Sequence, residues 1–183
     1  MTHNTSVSDP ARASRSEFLD HVALQEFYHT RILLECCNSV GLDVDILPPR
    51  LAMRVATNLM ARLPERGRLP LTLAAEIVGC VFFALLLAHL DYFDEEPEVR
   101  ERLRDLIRDI LIDEIGHVAY CRSGLSNAEL AYARRLLPLM QRTLLNDMPE
   151  YVQIAGSVEA FNQRVRDFDV ARDAFVSERC FRG

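Results

Sequence analysis

Residues 99–122 read VRERLRDLIRDILIDEIGHVAYCR, and their spacing decides the fold. Leu103, Ile107, Ile110, Glu114, His117 and Cys121 recur at steps of three and four, so they form one stripe of an α-helix, with charged residues on the opposite face. The stripe is apolar except for an acid and an imidazole. A carboxylate on a core-facing stripe must be neutralised, hydrogen-bonded or bound to a cation, because an unpaired buried charge is strongly unfavourable. Glu114 and His117 are therefore the first candidates for chemistry. Their separation of three residues puts both side chains on one helical face, within reach of a common ion.

Working outward, the same periodicity holds along nearly the whole chain. Gly and Pro cluster at junctions and no stretch alternates as a strand does, which predicts an all-α protein. Ser16 caps a first expected helix that runs to about Ser39, with Gly41 just beyond it in the turn GLDVDILPP. A shorter helix follows from about Pro49 to Leu63. Residues 63–70, LPERGRLP, read as a loop, and Thr72 as the cap of a long helix through Tyr92. The acidic turn DEEPE ends it, and Pro97 opens the helix quoted above. Ser126 and Glu129 form a capping box for another helix to about Leu145, and one or two short helices follow Pro149.

Composition narrows the class. The chain has 183 residues, 49% hydrophobic and 26% charged, with a net charge of −6, which suits one soluble domain without general attraction to nucleic acid or anionic lipid. Residues 1–15 are polar and are expected to be a disordered leader on a single helical domain of residues 16–183. The leader lacks the apolar stretch of a secretory signal, so a cytoplasmic location is expected. Cys36, Cys37, Cys80, Cys121 and Cys180 are odd in number and show no CxxC spacing, which argues for reduced thiols rather than a disulfide framework or zinc ribbon. The run IVGCVFFALLLAHL, residues 77–90, is shorter than the ~20 residues of a membrane span. It reads as the central helix of a bundle, with no membrane span expected.

A second Glu-x-x-His unit, Glu26-Phe-Tyr-His29, lies in the first helix, where His29, Leu33 and Cys36 continue the face of Glu26. With fourteen glutamates and five histidines in the chain, chance supplies roughly 0.4 such pairs, so burial must decide between accident and site. Glu76 adds a third inward acid, since its neighbours at i+4 and i+7 are Cys80 and Phe83. His21 and His89 read as structural, and the run EEPEVRERLRDLIRD as a solvated helix face.

Together, ILIDEIGHVAY and AAEIVGCVFFALL resemble the second half of the site in the ferritin-like diiron-carboxylate superfamily. There, two helices each give a Glu and two others each give Glu-x-x-His into the centre of a four-helix bundle. The resemblance implies a ferritin-like bundle of four core helices with shorter C-terminal helices. It implies Glu26, His29, Glu76, Glu114 and His117 as metal ligands, with Glu76 terminal and Glu114 bridging. Asp113 matches the family's DExxH form, in which that Asp supports a ligating imidazole, here His29. The cofactor implied is two iron ions, with manganese the alternative. The reaction implied is oxidation of a small-molecule substrate by dioxygen, fed by an electron donor. Phe27, Tyr28, Phe82, Phe83 and Tyr120 are candidates for a pocket wall.

The chain departs from the family pattern by one carboxylate. Only 25 residues precede Glu26, and the helix expected from Pro49 to Leu63 contains no acid. The sixth ligand would come from Glu35, Asp147 or Glu150, or from the second subunit of a homodimer. A single-metal site remains an alternative, as do a ferroxidase or metal-storage protein and a metal-free interaction module whose acids are satisfied by Arg31, Arg54 or Arg108.

Overall fold

A computed structural model describes residues 15–44, 58 and 62–169. Among the described residues the chain is all-α, with no strand. Its elements are α1 (Arg15–Ser39), α2 (Glu65–Ala88), a 3-10 turn (Leu90–Phe93), α3 (Pro97–Ser123), α4 (Asn127–Asp147), α5 (Tyr151–Ala155) and α6 (Val158–Arg166). The expected leader, most of the expected helix from Pro49 to Leu63, Arg54 and Cys180 lie outside the described residues.

Local signals account for several helix ends. Gly41 adopts φ +72°, and the N–H groups of Leu42 and Gly41 donate to the carbonyls of Cys37 and Asn38 at 2.9 and 3.0 Å. This is the Schellman arrangement, in which a glycine in the left-handed region closes the helix. Pro97 occupies the first turn of α3. At α4 the Ser126 hydroxyl accepts from the Glu129 N–H at 3.4 Å while Glu129 Oε2 accepts from the Ser126 N–H at 2.9 Å.

The start of α2 corrects the sequence reading. The expected loop over 63–70 is helical from Glu65 onward, and Pro70 lies inside the helix. A proline there removes one backbone hydrogen bond and crowds the carbonyl four residues back. Leu69 and Pro70 are both fully buried, and this apolar burial within the first two turns offsets the lost bond.

The helices form a bundle in which α2 packs against both α3 and α4, and α3 also packs against α1. Two cores meet at α2. One gathers Leu73, Cys80 and Phe83 of α2 with Val22 and Ile32 of α1 and Leu103, Ile107 and Ile110 of α3. The other joins Val78, Val81 and Leu85 to Tyr151, Phe161 and Val165, with Leu137 and Met140 of α4 packed against them. Tyr151 stacks on Phe82 with ring centroids 4.4 Å apart and donates its hydroxyl to the Phe82 carbonyl at 2.5 Å.

Burial on two faces explains why α2 is apolar nearly all round. With its following turn the helix spans 28 residues, Arg66–Phe93, and is long and apolar enough to cross a membrane. Length therefore does not exclude a span, as the shorter run 77–90 had suggested. The packing of α2 between two cores supplies a sufficient reason for its composition.

Removing the capping box should weaken α4 without touching the site. Ser126→Ala is expected to lower unfolding stability by about 1 kcal/mol, read as a shifted denaturant midpoint at unchanged slope.

Candidate metal centre

Three helices place the candidate residues. The stripe read from α3 is buried throughout, including Glu114 and His117 at 4% and 3% exposure. Glu76 of α2 is 7% exposed and His29 of α1 is 2% exposed. Glu26 differs, because half of its side chain reaches solvent. Even so, one donor atom from each of Glu26, Glu76, Glu114 and His117 falls within 4.8 Å of the other three.

His29 sits beside this cluster. Its Nε2 lies 3.1 Å from Asp113 Oδ2, and its Nδ1 is 3.3 Å from Glu114 Oε1 and 3.6 Å from Glu26 Oε1. The expected pairing of Asp113 with His29 is thus present. A carboxylate at Nε2 keeps a proton on that atom, so Nδ1 is the ring nitrogen turned to the two glutamates. That buried Nδ1 makes no hydrogen bond.

His117 repeats the arrangement from the other helix. Its Nε2 is 2.7 Å from Gln25 Oε1 and its Nδ1 is 3.3 Å from Glu76 Oε2. The imidazole rings of His29 and His117 are 6.2 Å apart. Two ring nitrogens therefore face three carboxylates, each ring with its second nitrogen held by an oxygen outside the cluster.

Burial dominates the electrostatics. It raises the Glu76 carboxyl to about 7. Burial, and then the neighbouring Glu76, raise Glu114 to about 9. At His29, burial favours the neutral ring, but Asp113, Glu114 and Glu26 outweigh it and hold the group up at about 11. His117 moves down, chiefly through burial. The groups that set the ionisation of Glu76 and Glu114 are each other, Glu26 and His29, with no arginine among them.

This donor set fits a hard or borderline divalent cation. It offers three carboxylates and two imidazoles without thiolate. Cys80 and Cys121 lie close by, but burial pushes both thiols far up, which keeps them protonated. Gly79 completes the cradle. A Cβ at this position would stand 3.2 Å from Glu114 Oε2, so a glycine in the interior of α2, unfavourable to the helix itself, leaves room for the Glu114 carboxylate.

Other candidates stand apart. Glu35 pairs with Arg102 at the surface, and neither it, Asp147 nor Glu150 joins the donor cluster. His89 Nδ1 bonds the Leu85 carbonyl at 2.9 Å, and His21 is exposed. Phe27 and Tyr28 are corrected as wall candidates: they are 75% and 54% exposed, because the inward face of α1 carries Val22, His29 and Ile32 instead. Phe82 and Phe83 meet edge to face at 5.1 Å in the interior. Gln25 and Gly79 were missed by motif spacing. Gln25 had a signal, since it precedes its motif glutamate as Asp113 precedes Glu114.

No protein-family model, curated protein or solved structure matches this chain.

The raised groups fix the sign of a pH dependence. Glu76, Glu114 and His29 hold protons in the folded, metal-free protein that the unfolded chain releases near 4.5, 4.5 and 6.5, so their stabilisation is lost as pH rises through the folded values. His117 acts in the opposite sense only at lower pH. Chelator-treated protein should therefore lose thermal stability between pH 7 and 9. A flat or rising profile would contradict this account, and Glu114→Gln should flatten the loss.

Two glycine substitutions test the cradle. Gly116 is exposed with nothing within 4 Å of an added Cβ, so Gly116→Ala should raise stability by up to about 1 kcal/mol. Gly79→Ala should show a smaller gain or a loss, and should weaken metal binding in equilibrium dialysis where Gly116→Ala does not.

Proposed function

We propose that this protein is a ferritin-like, diiron-type oxidoreductase that activates dioxygen on a small-molecule substrate. The observation carrying this reading is the pair of imidazoles whose Nδ1 atoms face Glu26, Glu76 and Glu114. Asp113 and Gln25 hold the other ring nitrogens, so these two Nδ1 atoms are the ones turned to the carboxylates. Lone pair against carboxylate is unfavourable until a proton or a metal ion lies between them.

Within this reading Glu26, His29, Glu76, Glu114 and His117 would hold the metals, with Glu114 lying between His29 and Glu76. A reduced iron or manganese pair, when bound, supplies the electrons that dioxygen needs. The chain's own part is to neutralise the ions with three carboxylates, fix the imidazoles and exclude water. The apolar residues of α2 and α3 do the last of these, since the cluster opens to solvent chiefly at Glu26. The partners are dioxygen, an organic substrate and an electron donor.

One observation favours a ferroxidase as the second reading. Glu26 has one side in water and one in the cluster, which suits a carboxylate that admits ions. Ferrous ion would then be the substrate, and assembly into a large shell would accompany it. The metal-free reading needs arginines against the inward acids, and the ionisation of Glu76 and Glu114 is set without one.

Metal analysis tests the proposal. Protein purified without chelator should carry about two equivalents of iron or manganese, and Glu114→Ala should lose them. Reduced, loaded protein should consume dioxygen. Absence of metal, together with unchanged melting on anaerobic addition of ferrous or manganous ion, would overturn it.

A further inference from the structure

The residue preceding each motif glutamate reaches across to the histidine of the other motif. Asp113, before Glu114 on α3, holds His29 of α1 at 3.1 Å. Gln25, before Glu26 on α1, holds His117 of α3 at 2.7 Å. The exchange is reciprocal between two packed helices, and the shorter of its contacts belongs to the neutral side chain.

We propose that Gln25 is a positioning residue of the metal centre, selecting the Nε2–H tautomer of His117 so that Nδ1 is the atom presented to Glu76. This rests on the metal-centre reading only for the role of that atom; the tautomer itself is a property of the metal-free chain. An amide oxygen accepts but does not donate, so with Oε1 turned to the ring the proton must reside on Nε2. Glu76 Oε2 then meets the remaining nitrogen at 3.3 Å. Without Gln25, the ring would gain more by moving its proton to Nδ1 and donating to Glu76, which would remove the ligand atom from the cluster.

The two braces differ in charge. His29 donates to a carboxylate and His117 to a neutral amide, and an anionic acceptor makes an imidazole the stronger ligand. A glutamate at position 25 preserves the acceptor oxygen and adds the charge, whereas leucine preserves bulk and removes the acceptor. These two substitutions therefore separate hydrogen bonding from packing.

The experiment reads the ring nitrogens directly. Two-bond proton–nitrogen correlation spectra of labelled, chelator-treated protein should place the His117 proton on Nε2 in the wild type. Gln25→Leu should shift it toward Nδ1, and Gln25→Glu should restore it. Anaerobic titration with cobaltous ion should show an affinity loss of roughly tenfold to a hundredfold for Gln25→Leu, with Gln25→Glu at or above wild type. A wild-type proton on Nδ1, or unchanged tautomer and affinity in Gln25→Leu, would overturn the assignment. If the tautomer responds but no variant nor the wild type binds metal, the assignment of Gln25 to His117 stands and the proposed oxidoreductase falls.

Discussion

Two carboxylates buried against each other impose the constraint to which the surrounding structure answers. Ionised and unpaired, a buried carboxylate costs several kcal/mol even after the protein relaxes, and Glu76 adds to that cost at Glu114. Water cannot relieve them in the core between α2 and α3. The protein instead brings two imidazoles to the pair, one from α3 itself and one from α1. Gly79 gives Glu114 its space by omitting a side chain. Protonation relieves the pair in the metal-free chain, and a cation held by the carboxylates and the two imidazoles would take the place of those protons.

The rest of the bundle is arranged behind that cluster. Helices α4, α5 and α6 contribute no donor to the cluster, yet they cover the face of α2 that Val78, Val81 and Leu85 present. A carboxylate is only as well placed as the helix that carries it, so the second core serves the site by fixing α2 from the side away from Glu114. The Tyr151 hydroxyl on the Phe82 carbonyl ties the two cores together. Apolar character on two faces of α2 is thus a consequence of its place in the middle, and Glu76 is tolerated there only because α3 and α1 bring it partners.

What could be read from the sequence follows the range of the interactions. The α3 stripe was legible because periodicity of three to four is local, and each of its six positions is buried. The capping box at Ser126 and the turn at Gly41 were legible for the same reason. The beginning of α2 was not, because Pro64, Gly67 and Pro70 carry strong local breaking signals that tertiary burial of Leu69 and Pro70 overrides. Glu26 and His29 were legible as a pair but not in their unequal exposure, which depends on how far α1 rolls against α3. Gln25 lies ninety-two positions before His117, and only assembly of the bundle turns that separation into a hydrogen bond.

That roll of α1 also determines which side of the centre meets solvent. Residues 26 and 29 are three apart, yet one is half exposed and the other almost fully buried, so the boundary between core and water runs between them. Leu24, Phe27 and Tyr28 lie on the watery side, whereas α2 and α3 surround the cluster with Cys80, Ile110 and Val118, all fully buried. Glu76 and Glu114, whose carboxyls burial raises, lie deep in the cluster, while Glu26 lies at its rim. A solute approaching from solvent would meet Glu26 first and the two buried acids last. The roll of α1 thus leaves one side of the cluster open to water while the buried residues of α2 and α3 close the rest.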